Sequence, residues 1–120
     1  MLPASAQAWQ ATFPGTPEHA ATLRRWARQR LHPWAGPRAA DDAVQLAHQL
    51  FTAVLTTHPD RITVTLARST TRIRITAAGP SPLPPRARAD WGITRALATA
   101  HGRGPRSAWA ELATEPREHR

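Results

Sequence analysis

From Ala39 to Thr57 the chain reads AADDAVQLAHQLFTAVLTT, with apolar residues at Ala43, Leu46, Ala47, Leu50, Phe51, Val54 and Leu55. Steps of three and four residues put these side chains on one side of an α-helix, which predicts a helix over 40–57 with one buried face. Asp41 and Asp42 fall in its expected first turn, where the positive end of the helix dipole favours carboxylates. His58-Pro59 is the expected stop, because a residue before proline is pushed out of the α region. Leu50 and Phe51 are the expected anchors beneath a sheet.

The remaining elements follow from shorter patterns. Ala8 to Phe13 alternates, with Trp9, Ala11 and Phe13 on one side, and reads as a strand at a sheet edge. After the turn Phe13-Pro14-Gly15, Thr16 is the expected N-cap, Pro17 the first helical residue and Glu18 a first-turn acid, predicting a helix over 17–31. Its inner stripe is Leu23, Trp26, Ala27 and Arg30 or Leu31, and Arg24, Arg25, Arg28 and Arg30 make it basic. His32 to Pro37, with two prolines and a glycine, is a connection. Arg61 to Ala67 and Thr71 to Thr76 alternate, with Ile62, Val64, Leu66, Ile73 and Ile75 inward and Arg72 and Arg74 outward, as in an antiparallel hairpin. Ala77 to Ala89 is a Pro-rich loop. A third helix is expected over 92–101, with Ile93, Leu97 and Ala98 or Ala100 inward and His101-Gly102 as its cap. Arg106 to Ala113 is the last strand, carrying Trp109 and Leu112, and 114–120 is expected to be a flexible tail.

The order β-α-α-β-β-α-β predicts an α+β fold: a two-layer α/β sandwich with three helices on one face of a mixed, mainly antiparallel sheet of about four strands. The 120 residues make one expected domain, 1–120, with its core over about 8–113.

Composition narrows the classes. With Cys 0 there is no disulfide, no thiolate nucleophile and no zinc-thiolate site. No run of about 18 apolar residues offers a membrane span, and the first residues lack the basic and apolar regions of a signal peptide, so a cytoplasmic protein is expected. The net charge is +8, and all 16 Lys+Arg residues are Arg, which favours an acidic partner. The arginines form no long consecutive block. The 6 His show no His-Glu-x-x-His spacing, no Gly-x-Ser-x-Gly nucleophile motif is present, and His48 reads as a surface residue beside Gln49. Trp34 and Trp91 lie in loop-like contexts, and exposed Trp and Arg are enriched at binding hot spots, which makes Arg24, Arg28, Trp34 and Trp91 the candidate partner-binding residues.

Three stretches carry a resemblance to a known family: Phe13-Pro14-Gly15 ahead of a helix with Arg25-Trp26, Ala40-Asp41-Asp42-Ala43-Val44 opening the second helix, and Trp109-Ala110-Glu111-Leu112 preceded by Gly104. In this order and spacing, over about Trp9 to Leu112, the chain resembles the small actinobacterial proteins with a histidine-kinase-like ATPase domain, of the anti-sigma regulatory serine-kinase type. The resemblance implies that fold, and ATP with magnesium as the family's cofactors. It also implies a Glu and, four residues on, a magnesium-binding Asn on the second helix; these positions are Gln49 and Ala53 here. The family's Asp-x-Gly, whose Asp recognises adenine, is matched by Ala77-Ala78-Gly79, and its phosphate-cradling Gly-x-Gly by Asp90-Trp91-Gly92. Metal, adenine and phosphate contacts are thus altered together, and no bound cofactor or metal is expected.

The expected function is therefore a regulatory, anti-sigma-factor-like domain with a degenerate ATP site, acting by stoichiometric binding of a protein such as a sigma factor or another transcription regulator. A homodimer is a further expectation from the family. The alternatives are an active ATP-dependent serine/threonine protein kinase and, from the charge alone, a basic nucleic-acid-binding module, for which no recognised motif is present.

Overall fold

The computed structural model describes residues 7–33, 35–84 and 92–114. The elements run β1 (Gln7–Pro14), a single 3-10 turn (Pro17–His19), α1 (Ala20–Leu31), α2 (Pro37–Leu55), β2 (Arg61–Arg68), β3 (Arg72–Ala78), α3 (Gly92–Leu97), β4 (Ala100–Arg103) and β5 (Ser107–Ala113). The fold is α+β. One sheet holds five strands in the order β1-β2-β3-β5-β4, and every described pairing is antiparallel rather than mixed.

Alternation decides the faces. Phe13, Ile62, Val64, Leu66, Ile73, Ile75, Ala77, Ala108, Ala110 and Leu112 are buried on the inner face of the sheet. Leu46, Leu50, Phe51 and Val54 of α2 are buried against them, and α2 packs on β3, β5 and β2. Leu23, Ala27 and Leu31 are the buried stripe of α1, so Leu31 rather than Arg30 completes it. The rings of Phe13, Trp26 and Phe51 join the layers edge to face, with centroids 5.6 Å apart for Phe13–Trp26 and 6.3 Å for Phe13–Phe51.

The helix boundaries differ from the sequence expectation for local reasons. α2 begins at Pro37, with Gly36 extended as its N-cap, so the proline expected to block a helix opens one. Asp41 and Asp42 therefore lie beyond the first turn, and Asp41 faces Arg28 instead, at 3.8 Å. At the other end the hydroxyls of Thr56 and Thr57 donate to the carbonyls of Ala53 and Val54, at 2.6 and 2.8 Å, and satisfy the last turn. His58 then adopts a left-handed φ of 55° ahead of the buried Pro59.

The largest correction lies between Gly92 and Arg103. α3 stops at Leu97, and His101-Gly102 is part of a fifth strand rather than a helix cap. Both the amide and the hydroxyl of Thr99 donate to the carbonyl of Glu111, which draws the chain into pairing with β5. At the start of α3 Thr94 is buried and Ile93, expected inward, is exposed at 45%, whereas Leu97 and Ala98 pack against the core as expected. Finally, Ala77 and Ala78 belong to β3, opposite Ala108 and Ser107, so the Pro-rich loop begins at Gly79.

Candidate functional site

The positions matched to the family's nucleotide motifs divide between α2, the end of β3 and the start of α3. Gln49 is half-buried on α2, and Ala53, one turn later, is 8% exposed. Ala77 is fully buried, its methyl on the inner face of β3. Gly79 follows that strand and lies against α2: a Cβ built on it would sit 2.8 Å from Cγ1 of Val54. Its amide donates to the carbonyl of Arg106 at 3.1 Å. The fold thus brings the last turns of α2 onto the end of β3. Gly92 opens α3 in open space, with no atom within 4 Å of a Cβ built on it. Asp90, Trp91 and Trp34 lie outside the described residues.

What these positions offer chemically is limited. Gln49 presents a neutral amide, Ala53 and Ala77 present methyl groups, and Gly79 presents backbone only. Neither methyl can ligate magnesium or accept a hydrogen from an adenine amino group. Among the described residues no three His, Asp or Glu side chains lie close enough together to hold a metal ion. The described residues at these positions therefore do not fit a magnesium–nucleotide complex bound in the manner of the family that the chain resembles.

The outer face of α1 is different in character. Arg24, Arg25, Arg28, Gln29, His32 and Pro33 line a shallow groove of about 540 Å³. Nη1 of Arg24 lies 3.0 Å from Nδ1 of His48 on α2. A guanidinium only donates, so Nδ1 accepts and the imidazole is neutral. Burial, and then the charge of Arg24, hold the His48 pKa below its ordinary value. His48 is thus half-buried and bonded to α1 rather than a free surface residue. Arg28 and Asp41 are both about half exposed, so their 3.8 Å pairing adds little stability. Arg24 and Arg28 are accordingly brought to one groove.

Two polar clusters had no counterpart in the sequence expectation. Arg103 of β4 donates from Nη1 to the carbonyl of Pro84 and from Nη2 to that of Leu83, both at 2.6 Å. Leu83 is buried and its amide donates to the carbonyl of Pro105 at 2.8 Å, so the start of the Pro-rich loop is docked on the β4–β5 turn. On the outer face of the sheet, Arg72 and Arg74 reach Glu111 at 3.7 and 3.1 Å, beside Trp109. The outward alternation of Arg72 and Arg74 was the only signal available, and it named no partner.

No protein-family model and no curated protein sequence matches the chain.

Proposed function

We infer that this chain is a regulatory protein-binding domain of the anti-sigma type, built on a histidine-kinase-like ATPase scaffold whose ATP site is degenerate. The α+β element order and the five-stranded sheet are compatible with a two-layer sandwich, the broad class to which that scaffold belongs. One observation carries the loss of nucleotide chemistry. Where the scaffold's chemistry calls for a magnesium-binding amide and an adenine-binding carboxylate, Ala53 and Ala77 offer methyl groups that are buried in the packing. Gln49, in place of a carboxylate, is too weak a base to activate a hydroxyl.

Without phosphoryl transfer, the work left to such a domain is to hold a protein stoichiometrically, here a sigma factor or another transcription regulator. The net charge of +8 supports an acidic partner, which long-range attraction would steer toward the arginine-rich surfaces, including the groove of Arg24 and Arg28. Isothermal calorimetry with magnesium–ATP, alongside capture of partners from a native extract, tests the reading. Silent calorimetry with a captured transcription regulator at one-to-one ratio is the expected result. Saturable ATP binding with transfer of phosphate to a captured protein would place the kinase reading ahead of it.

A further inference from the structure

The two edges of the sheet are built differently. The β4 edge is four residues long and carries His101, Gly102 and Arg103, the short, charged form that discourages further pairing. The β1 edge is eight residues long, QAWQATFP, without a charged side chain, in a chain that is 20% charged. All its residues are in register with β2, and among the described residues no strand lies on its other side. Side chains fasten it to β2 as well: Gln10 donates to the hydroxyl of Thr65 at 3.2 Å, and the hydroxyls of Thr12 and Thr63 are 3.0 Å apart. An antiparallel strand points every second pair of backbone N–H and C=O groups away from its partner. β1 is therefore a continuous, anchored template.

The charged residues of β2 itself, the strand that β1 pairs with, are both arginines. Register places Arg68 opposite Gln7 and Arg61 opposite Pro14, at the two ends of the strand. Nε of Arg68 donates to Oε1 of Gln7 at 2.9 Å. Arg68 falls on the inner-face alternation of β2 and Arg61 on the outer. A strand added to β1 would run about 5 Å beyond it and about 10 Å from β2, within reach of an arginine on β2 and an acidic side chain extended toward it. Carboxylates near its two ends, on opposite faces, would meet both arginines.

We propose that the open edge of β1 is a strand-addition site for an extended, acidic segment of a protein partner. Backbone pairing supplies the affinity, and Arg61 and Arg68 select the acidic ends. A second copy of the chain is disfavoured as occupant because each copy brings a charge of +8. The proposal rests on the partner-binding reading above and gives it a location.

The test uses the full chain and a short fluorescent peptide with Glu at both ends and alternating Val and Thr between them. Anisotropy should show saturable binding, and alternate β1 amides should gain protection from hydrogen exchange. Methylating the peptide's alternate amides, or replacing its Glu with Lys, should abolish binding. Arg61→Glu with Arg68→Glu should weaken binding about tenfold or more. The equal charge change Arg38→Glu with Arg106→Glu, at two exposed arginines away from β1 and from the α1 groove, should leave the β1 protection in place. The proposal is overturned if the peptide does not bind, if methylated and plain peptides bind alike, if β1 exchange is unchanged, or if this control reversal weakens binding as much as that of Arg61 and Arg68. It is also overturned if duplex DNA protects β1 more strongly than the peptide, or if β1 is already protected in a two-chain species measured by sedimentation. Failure of the peptide with silent ATP calorimetry removes the edge site and leaves the scaffold reading standing; ATP binding removes that reading itself.

Discussion

The guanidinium of Arg74 lies 4.2 Å from the ring centroid of Trp109 on the outer face of the sheet, and Nη1 of the same group bonds Oε2 of Glu111 at 3.1 Å. Beneath the ring, Gly102 of β4 pairs with Trp109, and a Cβ built on Gly102 would sit 2.9 Å from the indole. Strand β4, tryptophan and arginine are thus stacked, and the missing side chain at Gly102 is what lets the ring lie flat.

Gly102→Ala should accordingly displace Trp109 and loosen β4, costing about 1–3 kcal/mol as overpacking does. Chemical denaturation measures the loss, and the near-ultraviolet signal of Trp109 should change with it. A variant with parental stability and an unchanged spectrum would show that the ring has another place to go.

Gly15→Ala should be more severe. A Cβ there would collide with the backbone oxygen of Pro59, where the amide of Gly15 donates to the carbonyl of Asp60 at 3.0 Å. Neither partner is a flexible side chain, so the β1–α1 turn must move away from the end of α2. A loss of about 3 kcal/mol is expected, at the upper end for overpacking, and equilibrium unfolding checks it.

Phe51 is fully buried and its ring meets that of Phe13 edge to face. Phe51→Ala should cost about 3–5 kcal/mol, from lost burial and the cavity left behind. Melting at the parental temperature would mean that the inner face of α2 is repacked without it.

How much of this was legible beforehand depends on the range of the forces involved. Phe51 and the rest of the α2 stripe, and the alternation of Ile62, Val64, Ile73 and Ile75, are repeated local signals, and they specified the central helix and hairpin correctly. Strand β4 was not legible. Ala-His-Gly-Arg has no alternating apolar residues, and it is extended because Thr99 and the residues after it pair with the partner strand β5. The same holds for Arg103, whose two bonds reach back 19 and 20 residues to Pro84 and Leu83. Of the candidate positions, the period of α2 set Gln49 and Ala53 one turn apart, on what reads as the polar side of the helix, but it did not show that Ala53 is buried, nor the alternation of β3 that Ala77 is sealed in the core.

Stability should fall with acid through His48. Its folded pKa is lowered, by burial first and by Arg24 second, from an ordinary value of 6.5. As pH drops below that value the unfolded chain takes up a proton that the fold resists, so the unfolded state gains. The contribution is fully present above pH 6.5, is lost as pH falls through the lowered folded value, and levels off below it. His48→Gln, which keeps an acceptor for Arg24, should flatten this part of the profile. Denaturation of both proteins across that range measures the difference; parallel profiles would assign the acid sensitivity to other groups.

The adenine-binding carboxylate of the family that the chain resembles can be introduced by Ala77→Asp, and the packing around Ala77 sets what should follow. Ala77 is fully buried between β3 and α2, opposite Ala108 on the neighbouring strand. An aspartate there has no described cation to meet and must either ionise in the core or take up a proton. It should cost about 3–5 kcal/mol, the range seen when a buried charge lacks its partner. A ligand that rescued it would add RT ln(1 + [L]/Kd), about 2.7 kcal/mol at a hundredfold excess over Kd, which for a domain of this size raises the melting point by several degrees. Magnesium–ATP at millimolar concentration should instead leave the melting point of the parent within about one degree, and should not rescue Ala77→Asp, alone or with Gln49→Glu and Ala53→Asn. A stable Ala77→Asp chain that ATP stabilises further would mean that a pocket opens between α2 and β3 on binding. An ATP-dependent rise in the unaltered protein would go further, since it would require a nucleotide held without side-chain ligands at Ala53 and Ala77.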